Sequence, residues 1–192
     1  MALRGEVGRE SYSGKELEVD VFGKPKFNEE YVAAYKRLTR EKGGYLPYGV
    51  AQKLIREFYP EDPTNPTKEF ARDLRLAICE ELGLDGDDAD AVRFYSALGT
   101  PLDHFHGVDA WVEIDLDHAT QGRLHAQVTL DVTKREDKAE DGHKADVMVG
   151  EISDPEAKTY LSEVERYAKE VTEYLFSRLQ AEAQRGGFAA GK

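Results

Sequence analysis

Apolar positions along the chain follow two different periods. The first is helical. Asn28 is a fitting N-cap for a helix over 29–42 that Gly43-Gly44 stops, and a second helix runs from Tyr48 to Phe58 with Pro60 behind it. The run 60–66, with three prolines, is a turn-rich connector. A third helix is predicted from Thr67 to Leu82, where Phe70, Leu74, Ala77, Ile78 and Leu82 recur at helical spacing and Gly83 follows as a C′ residue. A fourth is predicted over 87–98, capped by Asp87 or Asp88 and ended by Gly99.

The period then drops to two. Val108, Ala110, Val112 and Ile114 alternate with Asp109, Trp111, Glu113 and Asp115, which predicts a strand with one buried face. A second strand is predicted over 123–133, with Ala126, Val128, Leu130 and Val132 on one side and Gln127, Thr129, Asp131 and Thr133 on the other; Gly122 marks the turn between them. A charged loop over 134–143 leads to a third strand over 145–149. Asp154-Pro155 then opens a long helix to about residue 184, with Ala157, Leu161, Val164, Ala168, Val171, Leu175 and Leu179 in steps of three and four. This stripe packs on the sheet or forms the seam of a homodimer. Near the N-terminus, 16–22 alternates and predicts a short strand. The expected organisation is a single domain over 1–192: an N-terminal helical segment (1–66), a core (67–153), the C-terminal helix (154–185) and a flexible tail (186–192). Its class is α/β in the broad sense (α+β), with a small mixed, mostly antiparallel sheet flanked by helices.

Composition narrows the function classes. The chain has 192 residues, a net charge of -12 and a single cysteine. One cysteine excludes an internal disulfide framework and fits the cytoplasm. No apolar run approaches the roughly 18 residues of a membrane span, and residues 1–10 hold no apolar signal core. The acidic balance argues against a surface coated for nucleic acid, without excluding a local basic patch or a metal that supplies positive charge. Cys79 lies on an apolar helix face, as a structural thiol does. Tyr45, Tyr48 and Tyr59 cluster with Lys42, Lys53 and Arg56, as core and rim of the helical lobe or as a partner surface. The acidic run from Asp85 lacks the Gly and Glu of an EF-hand loop and reads as a helix cap.

The chemistry concentrates in 99–149. Asp109 and Asp131 interrupt well-patterned strands, each on the polar face of its own strand. If the strands are antiparallel neighbours, the carboxylates meet. Two such groups repel unless a cation lies between them, and hard oxygen ligands suit Mg²⁺ or Mn²⁺. The alternative is two solvated carboxylates on a wet sheet face.

This order of elements resembles the PD-(D/E)XK nuclease superfamily, in which a helix precedes a β-meander carrying an Asp on one strand and D/E-x-K on the next. Asp109, in Gly107-Val108-Asp109, matches the first acid. Asp131, in Thr129-Leu130-Asp131-Val132-Thr133, matches the second, 22 residues later. The resemblance covers about 67–150. It implies a restriction-endonuclease-like mixed sheet flanked by helices, a divalent metal held by Asp109, Asp131 and the Val132 carbonyl, and hydrolysis of phosphodiester bonds in nucleic acid. The chain departs from the pattern at Thr133, which stands where the family has lysine. Lys134 is adjacent but points to the opposite strand face, so Lys144, which shares parity with Asp146, is the better candidate for a displaced lysine. The carboxylate the family adds from the preceding helix would come from Glu69, Asp73, Glu80 or Glu81, with Glu80 taken forward. His104 and His106 could contact phosphate or transfer protons.

Two rival readings stand beside this one. Thr133 and the charge of -12 fit a noncatalytic binding or structural module that keeps a nuclease-like fold. His104-Phe105-His106 followed by Glu113 resembles the cupin pattern of a transition-metal site, although the second cupin motif is missing.

Overall fold

The computed structural model describes residues 14–40, 43–118, 122–133 and 145–189. The order is α1 (Gly14–Phe22), α2 (Glu29–Thr39), α3 (Tyr48–Glu57), α4 (Glu69–Leu82), β1 (Val92–Ser96), α5 (Pro101–His106), β2 (Ala110–His118), β3 (Gly122–Val132), β4 (Val147–Val149) and α6 (Tyr160–Ala189). The class is mixed α+β. Four strands form one sheet in the order β1-β2-β3-β4, with β1-β2 and β2-β3 antiparallel and β3-β4 parallel.

One face of this sheet carries the larger core. Val92, Phe94, Ala110, Val112, Ile114, Val128, Leu130 and Val147 pack under α1, α4 and α6. On α6, Val164, Ala168, Val171, Leu175 and Leu179 are buried within the chain, so most of the stripe considered as a homodimer seam is used intramolecularly; Leu161 alone of that series is strongly exposed, at 66%. The other face is not the wet surface its alternation predicts. Tyr95 and Trp111 stack at 4.7 Å beneath residues of α2, α3 and α5, where Tyr31, Leu46, Leu54, Ile55 and Leu102 complete a second core.

Several predicted elements stand with small shifts. The Asn28 side chain accepts the Tyr31 N–H at 2.9 Å, and Gly83 ends α4 in the left-handed region at φ 67°. Others are corrected. The predicted strand over 16–22 is helix α1, because Leu17 and Val21 are spaced for a helix as well as for a strand, and with Phe22 they bury against α4 and the sheet. The predicted helix over 87–98 is a 3₁₀ turn, Gly86–Ala91, followed by β1. Val92 and Phe94 enter the larger core while Tyr95 joins the second, and Arg75, 4% exposed, anchors the turn by donating to the carbonyls of Ala89 and Val92. The C-terminal helix starts at Tyr160 rather than at Pro155: the Asp154 carboxylate takes the Glu156 N–H at 2.9 Å, and its carbonyl takes the Ala157 N–H at 2.8 Å, which makes a turn. That helix continues to Ala189, through part of the expected tail, and 190–192 lie outside the described residues. The expected charged loop, 134–143, lies outside them too. No helix among the described residues is long and apolar enough to cross a membrane.

Candidate functional site

The chain reaches Asp109 through a short, well-capped helix. Thr100 Oγ1 accepts the Leu102 N–H at 3.2 Å, Pro101 takes the first turn, and Gly107 closes α5 at φ 62°, a conformation strained for any side chain. Val108 is buried and Asp109 follows at the threshold of β2. Its backbone is fixed on both sides: the carbonyl accepts the Ala97 N–H at 2.7 Å, and the N–H donates to the Leu130 carbonyl at 3.0 Å.

β2 and β3 pair as far as Ala110 opposite Leu130, and Asp109 and Asp131 are the residues that follow on each strand at that end of the ladder. The side chains meet. Asp109, only 4% exposed, shares a hydrogen bond with the Asp131 carboxyl, and its Oδ2 accepts the Val132 N–H at 2.8 Å. Burial is the chief reason that the Asp109 carboxyl is pushed up to about 8; the hydrogen bond with Asp131, and the charges of Asp131 and Glu18, act the same way, against the pull of the Val132 N–H. Asp109 therefore holds its proton to a higher pH than an ordinary carboxyl does, within the hydrogen bond it shares with Asp131.

Glu18, on α1, is the acid that sequence reasoning missed. The helix expected to supply a carboxylate offers only Glu69, Asp73, Glu80 and Glu81, and the alternation over 16–22 predicts a strand there. Glu80 is corrected accordingly: it is exposed on the last turn of α4, where its carbonyl takes the Gly83 N–H, and its charge is not among those that shift Asp109. Thr133 is half-buried with its N–H on the Val149 carbonyl at 2.9 Å. Lys134 and Lys144 lie outside the described residues.

The cupin-like set does not assemble. His104 and His106 lie on α5, not on a strand; His104 is exposed against Phe105, and His106 Nε2 is 2.9 Å from the Leu46 carbonyl. Glu113, 2% exposed, is held by Arg56, Arg93 and Trp111 Nε1 instead. Its neighbours extend a polar network across that face, with Asp115 meeting Arg93, Arg123 and His125.

Beyond this network, α3, β3 and α6 border an open cavity of about 700 Å³ lined by Tyr48, Gln52, Arg56, Gln127, Arg178 and Arg185 among others. Asp146 also lines it. Burial works against its charge, yet hydrogen bonds from Arg178 and Thr129 hold this carboxyl below its ordinary range. Arg178 Nη2 lies 2.6 Å from Asp146 Oδ1, and the Thr129 N–H and hydroxyl donate to Oδ2 at 2.8 and 2.7 Å.

Among the described residues, no group of three or more His, Cys, Asp or Glu gathers closely enough to hold a metal. The donor set at Asp109 and Asp131 nevertheless fits a hard cation. Both donors are carboxylates, one of them buried, and Mg²⁺ commonly uses one or two protein carboxylates while keeping water and phosphate oxygens as its other ligands. No protein-family model, no curated protein and no solved structure matches the chain.

Proposed function

We propose that this protein is a divalent-metal-dependent nuclease-like protein of the PD-(D/E)XK type, acting on phosphodiester bonds in nucleic acid. The observation that carries the reading is the buried Asp109 carboxyl hydrogen-bonded to Asp131 across adjacent strands. Two acids that meet in a buried place cost stability, and such an arrangement is a frequent mark of a functional site. The supporting context is a helix, α4, ahead of the meander β1-β2-β3, with parallel β4 making the sheet mixed, as expected of a restriction-endonuclease-like fold.

Asp109 and Asp131 would hold Mg²⁺ or Mn²⁺, and that ion, when bound, would polarise a phosphate and acidify a water. The chain's own contribution is positional. The Val132 N–H fixes one Asp109 oxygen, and Asp109 would have to give up its proton for the pair to hold an ion. Thr133 offers a hydroxyl where the family has a cation, so the positive charge would come from Lys144 or Lys134. The departure at Thr133, with the charge of -12, favours a second reading: a noncatalytic module retaining the acid pair.

Titration calorimetry with Mg²⁺ and Mn²⁺ on the native chain and on Asp131→Ala, with a nuclease assay on the same samples, separates these readings. The proposal expects metal binding and cleavage, both lost in the variant. Metal binding without cleavage favours the module; no binding and no cleavage refutes the metal site.

A further inference from the structure

The cavity between α3, β3 and α6 has a chemistry that the acid pair does not use. Gln127 Oε1 accepts from Gln52 Nε2 at 2.6 Å and from Arg56 Nη2 at 3.2 Å. Those bonds set both amides: Gln127 keeps its NH₂ as a donor, and Gln52, 5% exposed, keeps its carbonyl oxygen as an acceptor. Both residues line the cavity, so a donor from β3 and an acceptor from α3 meet where the two side chains bond each other. Arg56 and Arg178 are already engaged, by Glu113 and by Asp146, and form wall rather than free charge. Arg185 is exposed at the lining and makes no ion pair among the described residues. Tyr48 supplies an aromatic wall, its ring held edge-on by His106 at 5.5 Å. The volume of about 700 Å³ lies in the range of small-molecule sites.

An acceptor beside a donor is what the Watson–Crick edge of every nucleobase presents, and a duplex occupies that edge internally. Gln127 also shares a face of β3 with Thr129 and Asp131, four residues on, a distance of roughly 13 Å at the usual strand rise. We infer that this cavity seats an unpaired nucleobase, Gln127 and Gln52 meeting its edge, Tyr48 its face and Arg185 a neighbouring phosphate, so that single-stranded nucleic acid is the substrate class. The inference deepens the nuclease reading and rests on it for the link to Asp131.

Fluorescence anisotropy with short labelled single strands of DNA and RNA, and a blunt duplex as comparison, tests it on the full chain in EDTA, where no cleavage intervenes. The expected result is binding of single strands well above duplex, weakened about tenfold or more by Tyr48→Ala, by Gln127→Ala and by Arg185→Glu. Arg185→Glu changes an exposed side chain and serves as the variant that leaves folding intact, checked by circular dichroism. Duplex bound as tightly as single strand, or native-like binding by all three variants, overturns the inference. Metal-dependent cleavage of duplex without single-strand binding removes the inference and leaves the nuclease reading standing. Single-strand binding without any metal-dependent cleavage does the reverse for the cavity and the nuclease reading.

Discussion

Asp109→Asn is the most informative single change. The amide is an isostere of the protonated acid: its oxygen can take the Val132 N–H, and its NH₂ can donate to Asp131 as the carboxyl proton does. In the native chain Asp109 is pushed from 3.8 to about 8, so between those values the folded state holds a proton that the unfolded state has released. Stability then falls as pH rises. The contribution is fully present below about pH 4 and is lost as pH passes through about 8. At 1.36 kcal/mol per unit, the interval from pH 5 to pH 8 spans an upper bound of about 4 kcal/mol, and the sharing of charge with Asp131 makes about 2 kcal/mol the working expectation. Urea unfolding of both proteins at pH 5 and pH 8 measures it. The variant gains on the native chain by about 2 kcal/mol across that interval, which corresponds to a Tm difference of about 4–8 °C in a chain of this size. Other titrating groups are common to both proteins and cancel in the comparison. Mg²⁺ or Mn²⁺ at pH 8 stabilises the native chain and leaves Asp109→Asn unchanged. Equal pH slopes for the two proteins refute the argument that Asp109 is buried as an acid.

Arg56→Ala removes one of two arginines on buried Glu113 and leaves Arg93 in place, so a loss of about 1–3 kcal/mol in urea unfolding is expected, short of the cost of a fully orphaned charge. Leu175→Ala empties a site with no exposure on α6 and costs about 2–5 kcal/mol, whereas Phe176→Ala, 56% exposed, stays within about 0.5 kcal/mol; the pair is compared by thermal unfolding. Burial pushes the Cys79 thiol up, so a thiol reagent at neutral pH labels it only after denaturant is added; rapid labelling of the folded chain contradicts its placement on the buried face of α4.

Local pattern carried much of this architecture. The cap at Asn28, the helical spacing of Phe70, Leu74 and Ile78, Gly83 behind them, and the alternation that builds β2 and β3 are local consequences of side-chain size, backbone freedom and period, and each is legible in a window of ten residues or so. The same alternation put Asp109 and Asp131 on polar faces. Where a window was ambiguous, packing decided. Leu17 and Val21 suit a helix or a strand, and the segment is helical because Leu17, Val21 and Phe22 bury together against α4 and the sheet. Val92-Arg-Phe-Tyr-Ser96 is a strand because β2 was there to pair with it and Arg75 was there to bind the turn before it. The candidate site depended most on tertiary structure. Only the pairing of β2 with β3 brought the two acids together at one end of the ladder, and only the return of α1 brought Glu18 close enough to act on Asp109. Sequence periodicity reports which face a residue occupies. It does not report what covers that face, and the second face of this sheet, expected to meet water, instead holds Trp111 and Glu113 in a buried network and a cavity walled by helices from both ends of the chain.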